Sequence, residues 1–117
     1  FFKSEPELMN RYPKKIRQKL QELSNLAYDR ELSQKLDQLY IKFQEWKNGK
    51  IDCVQLQDLI HEHYNREGKE VWKIYNQTDV DFIVDRAYRL GILNANEIPA
   101  DIADALDLKE KKLGVKS

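Results

Sequence analysis

Apolar residues recur every three or four positions along almost the whole chain, and no stretch sustains period-two alternation, so the pattern predicts helices throughout. Ser4 and Pro6 suggest a short turn of helix ahead of Pro13, which suits the first position of a new helix. Ile16, Leu20, Leu23 and Ala27 mark one face, and Leu32, Leu36, Leu39, Phe43 and Trp46 a second with coiled-coil-like spacing. At roughly 100° per residue the two faces stand about 160–200° apart on a continuous helix. One straight helix cannot bury both in one core, so a turn is predicted near Tyr28-Asp29-Arg30, with Asp29 as a cap. The alternative is one long helix bridging two bodies, whose N-terminal part would be a dimerisation arm.

The remaining boundaries are better marked. Asn48-Gly49 predicts a left-handed cap. Asp52 with Gln55 predicts a capping box, and Ile51 with Leu56 a hydrophobic staple. The helix that follows carries Leu56, Leu59, Ile60 and His63 on one stripe and is expected to break at Glu67-Gly68. A short helix then holds Val71, Trp72, Ile74 and Tyr75. Thr78 or Asp79 caps another, in which Val80, Ile83, Val84, Ala87, Tyr88 and Leu90 cover a wide arc, the pattern of a central helix. Gly91 ends it, Ile92 and Leu93 fold back, and Pro99 opens a last helix with Ile102 and Leu106 inward. The expected fold is a single all-α domain over residues 1–117, a compact irregular bundle of five to six helices. The helix after Asp52 and the one after Asp79 are expected near its centre, with residues 1–12 and the Lys-rich 108–117 peripheral.

Composition narrows the class. In 117 residues, 41% are hydrophobic and 34% charged, which excludes a disordered chain. No apolar run approaches the roughly 18 residues of a membrane span. One cysteine excludes a disulfide framework. The chain opens on Phe1-Phe2 without a signal-peptide pattern, so a cytoplasmic setting is expected.

Three tempting motifs fail on geometry. Phe43 to Ile60 resembles an EF-hand, but aligning Gly49 on the loop glycine places Gln44, Trp46, Asn48 and Gln55 at ligand positions, and only Asn48 is suitable. His61 and His63 are two residues apart, about 200° round a helix, and cannot share a zinc ion as an i, i+4 pair does. His63 is expected to be a core or interface histidine bonded to a carbonyl or tyrosine. Cys53 sits in a helix's first turn, yet His61 is about 12 Å further along, too far to activate it. No phosphate loop, nucleophile elbow or paired-carboxylate motif appears, so neither enzyme nor cofactor is expected.

Net charge is zero, but it is a cancellation. Residues 1–25 carry six Lys and Arg against three Glu, residues 76–107 two Arg against seven acids, and the tail four Lys against one Glu. Neutrality with an acidic third disfavours nucleic acid and favours a protein partner, a second copy above all. Ile41 lies opposite the Leu36–Phe43 stripe, and it is combined with the polar edge at His61, Glu62 and Arg66 as the candidate interface. The alternative is a nucleic-acid-associated regulator, antitoxin-like or phage-defence in kind, using a basic patch of Lys14, Lys15, Arg17 and Lys19.

The run from Phe43-Gln-Glu-Trp46 through Leu59-Ile-His61-Glu-His63 to Val71-Trp72-Lys-Ile-Tyr75 resembles a family of small bacterial all-helical proteins without an assigned function. The resemblance covers the middle half of the chain, implies a single helical domain and transfers no functional residue. The resulting expectation is a non-enzymatic interaction module, a homodimer or an accessory subunit of a bacterial system.

Overall fold

A computed structural model describes residues 12–107. The turn proposed around Ser4 and Pro6 and the Lys-rich tail lie outside the described residues. Four helices and a 3-10 turn are described, with no strand among those residues. Helix α1 is Lys14–Lys47. Helix α2 runs over residues 53–77, its α-helical parts Cys53–Glu62 and Lys69–Gln77 joined without a break by a π-helical turn, His63–Gly68. Helix α3 is Val80–Arg89, the 3-10 turn Ala95–Glu97 and helix α4 Ala100–Leu106.

The five to six helices expected are thus four, because two predicted breaks do not occur. At Tyr28-Asp29-Arg30 the 34-residue α1 continues unbroken. Neither glycine nor proline interrupts Lys14–Lys47, and its two apolar faces are satisfied by different neighbours. Leu20, Leu23 and Ala27 enter a core with α3, α4 and the second half of α2, while the stretch beyond Leu32 pairs with Cys53–Glu62. Gly68 also fails to break its helix; the chain widens there into a π turn and goes on.

The second correction concerns shape. A straight helix of this length is about 51 Å long, and the molecule measures 53 × 34 × 21 Å. Its radius of gyration is 17.9 Å, against roughly 13 Å for a compact chain of this size. A globular body is formed by the first half of α1, the second half of α2, α3 and α4. From it projects a two-helix hairpin made of the second half of α1 and Cys53–Glu62. Of the two helices expected at the centre, α3 is there, with Val80, Ile83, Val84 and Ala87 buried. Leu90 extends the predicted arc but is exposed. The helix after Asp52 is peripheral, and Leu56 is the buried residue of its first ten.

Local signals at the hairpin turn work as the residue types dictate. Asn48 caps α1, Gly49 adopts φ +77°, its N–H reaches the Trp46 carbonyl at 3.1 Å, and the Lys50 N–H reaches Glu45 at 2.8 Å. These two bonds make a Schellman motif. The Asp52 side chain then accepts from the Gln55 N–H at 2.7 Å while Gln55 Oε1 accepts from the Asp52 N–H at 2.8 Å, the reciprocal capping box. Gly91, at φ +80°, closes α3 by the same Schellman pattern onto Tyr88 and Ala87. A Cβ on Gly49 would meet nothing within 4 Å, so Gly49→Ala tests backbone strain alone. It is expected to destabilise by about 1 kcal/mol in urea unfolding.

Candidate functional site

Two polar ties fix α1 to the body. Glu31 continues the buried face of Leu20, Leu23 and Ala27, and it is itself buried. Arg86 of α3 grips it through both carboxylate oxygens at 2.9 Å, and the Tyr75 hydroxyl donates to Oε1 at 2.7 Å. Tyr28 stacks on Tyr75, ring centroids 4.8 Å apart and planes within 5°. The Arg86 hydrogen bonds hold the Glu31 carboxyl below the usual carboxylate range, outweighing burial, which pushes it up. Burial first, and donation to Glu31 second, raise the Tyr75 phenol.

The second tie joins Arg30 to Glu97 through both carboxylate oxygens, while Arg30 also donates to the Ile92 carbonyl at 2.8 Å. Glu97 closes a capping box with Asn94. Hydrogen bonds from Arg30, then from the Asn94 backbone, hold its carboxyl at about 2. Both clusters pair their charges internally and lock the orientation of α1.

The projecting hairpin is sparsely packed. Trp46 is half-buried, its indole N–H donating to Cys53 Sγ at 3.3 Å, with Phe43 edge-on at 6.5 Å. Beyond this seam an apolar stripe of α1 faces solvent: Leu36 is 48% exposed, Tyr40 62% and Phe43 38%. Among the described residues no element covers it.

Where the hairpin meets the body, a groove of about 520 Å³ opens between α1 and the π turn. Tyr28 and Leu32 form one wall; His63, Tyr64, Asn65, Gly68, Lys69 and Trp72 form the other. The His63 ring lies against Gly68, where a Cβ would stand 3.3 Å from the His63 carbonyl oxygen and 3.7 Å from Nε2. A Cβ there would crowd the His63 carbonyl oxygen and meet the imidazole at ordinary contact distance. Among the described residues His63 bonds no carbonyl or tyrosine as expected; Glu67 lies 3.9 Å from its Nδ1.

The predicted interface residues Ile41, His61, Glu62 and Arg66 are all exposed, Ile41 on α1 and the others on α2. Ile41 is exposed and stands about 200° round α1 from Leu39, on the side away from α2. His61 is exposed on the outer side of α2, and Glu62 pairs with Arg66 at 2.8 Å. The basic residues are also dispersed. Lys15 and Lys19 share one side of α1, Lys14 and Arg17 another; Lys19 meets Glu22 at 3.4 Å and Arg17 Nε donates to the Tyr12 carbonyl at 3.3 Å. No cluster of three or more His, Cys, Asp or Glu able to hold a metal ion occurs among the described residues. No helix of the described residues is long and apolar enough to cross a membrane.

No family model, curated protein or solved structure matches this chain. What it does is therefore read from its own surfaces: the bare stripe on the hairpin and the aromatic groove at its base.

Sequence reasoning passed over both ties and the groove. Two of these carried a signal. Asn94-Ala-Asn-Glu97 has capping-box spacing, and Glu31 falls on the apolar face four residues after Ala27, where a carboxylate must find a cationic partner. The π turn has no residue signature in this sequence beyond a glycine inside a helix.

Proposed function

We propose that this protein is a non-enzymatic interaction module that pairs with a second copy of itself through the projecting hairpin, with Leu36, Tyr40 and Phe43 at the centre of the contact. The observation that carries this reading is that stripe, left open along a helix whose apolar spacing is that of a coiled-coil seam. Cys53–Glu62 covers one flank of the seam, on which Lys35, Leu39, Lys42 and Trp46 are half-buried. A second hairpin laid antiparallel would cover the other and complete a four-helix arrangement. Charge favours a like partner. Zero net charge removes long-range repulsion between copies.

Light-scattering mass at two concentrations tests this. The wild type should move toward twice the chain mass as concentration rises. Tyr40→Asp, at an exposed position that leaves the monomer intact, should raise the dissociation constant by about 30-fold, the effect of losing one central aromatic anchor. Ile41→Asp, on the far side of α1, should leave the mass unchanged. A wild type that stays monomeric, or a dimer broken by Ile41→Asp and not by Tyr40→Asp, overturns the proposal.

A further inference from the structure

The groove at the base of the hairpin has features that self-pairing does not use. At about 520 Å³ it falls within the size range of small-molecule sites. Its walls carry the rings of Tyr28, Tyr64 and Trp72, with Asn65 and Lys69 among the polar groups. Tyr28 is held from behind by its stack on Tyr75, so that wall is rigid before anything binds. The opposite wall is a π turn, a distortion frequent at functional sites. Here it ends on Gly68, where a Cβ would crowd the His63 carbonyl oxygen at 3.3 Å.

Charge selects among flat ligands. Lys69 is the one lysine or carboxylate among the lining residues and has no ion-pair partner among the described residues, while Glu67 is turned toward His63. The neighbouring carboxylate Glu31 is consumed by Arg86 and Tyr75. An ammonium beside aromatic faces complements an anion attached to a planar ring.

The geometry points to the groove between Tyr28 and the π turn as a binding site for a small planar aromatic acid, its ring lying against Trp72 and Tyr64 and its carboxylate meeting Lys69. This ligand site is independent of the hairpin stripe, and either can fail without the other.

Titration with 2-naphthoate, followed by backbone amide shifts in the full chain, tests the assignment, with uncharged 2-naphthol as the comparison. Saturable shifts should be confined to residues 28–32 and 63–72. Lys69→Gln, at an exposed position, should weaken 2-naphthoate about fivefold and leave 2-naphthol unchanged. Trp72→Ala should weaken both about tenfold. Absence of saturable shifts at the groove, shifts centred on Tyr40 and Phe43, or indifference of 2-naphthoate to Lys69→Gln would overturn the site.

Discussion

Arg86→Ala is expected to cost about 3–5 kcal/mol of unfolding free energy, because it strands a buried carboxylate. Glu31 is buried, and Arg86 occupies both of its oxygens at 2.9 Å. Removing the guanidinium leaves Tyr75 as its remaining donor among the bonds described. The pair is not thereby worth that much, since replacing both members by apolar residues also removes the desolvation cost. Glu31→Leu with Arg86→Leu should therefore recover most of the loss, and urea denaturation of the single and double variants measures the difference. Equal losses in both would show that packing, rather than the stranded charge, sets the effect.

The same ties set the pH dependence. Glu31 and Glu97 both have folded values below their unfolded ones, Glu97 at about 2. Each contributes stability that is present above the unfolded value of about 4.3 and disappears as pH falls through the folded one. Tyr75 is raised, so its contribution is present below about 10 and is lost as pH rises beyond that. Unfolding free energy should be level from pH 5 to 9 and decline on both sides. In Arg86→Ala the gap to wild type should narrow as acid protonates Glu31.

The second large effect separates two leucines of the same helix. Leu20 is 0% exposed and lies among residues of α3 and α4, so Leu20→Ala should cost about 3–5 kcal/mol, transfer plus cavity. Leu36 is half exposed, and Leu36→Ala should cost about 0.5 kcal/mol or less at concentrations where the chain is monomeric. Chemical denaturation of the monomer measures both. At concentrations that favour the pair, Leu36→Ala should instead appear as lost dimer mass, connecting this result to the proposed contact.

Those two leucines show where sequence reading reaches its limit. Both sit on clean apolar stripes, and periodicity alone gives them equal weight. Local chemistry was legible: the Asn48-Gly49 cap, the Asp52–Gln55 box, the Gly91 stop and the inward Ile102 and Leu106 all stand where short-range rules put them, because each involves groups within a few residues. The turn expected at Tyr28-Asp29-Arg30 followed from assuming one core for both stripes. Ile41 and the His61–Arg66 edge are exposed, and which faces of two helices share a direction depends on how those helices cross.

The sequence by itself determined that the described residues are helical and where α1 and α3 end. Those properties depend on backbone propensity and capping, which act locally. Only the tertiary structure decided that α1 runs unbroken for 34 residues, that Glu31 meets Arg86 across 55 positions, and that a π turn opens a groove against Tyr28. The physical reason is that burial is a property of pairs of surfaces. An apolar stripe states that something must cover it, and only the packed arrangement shows which stripes have been covered and which are still bare.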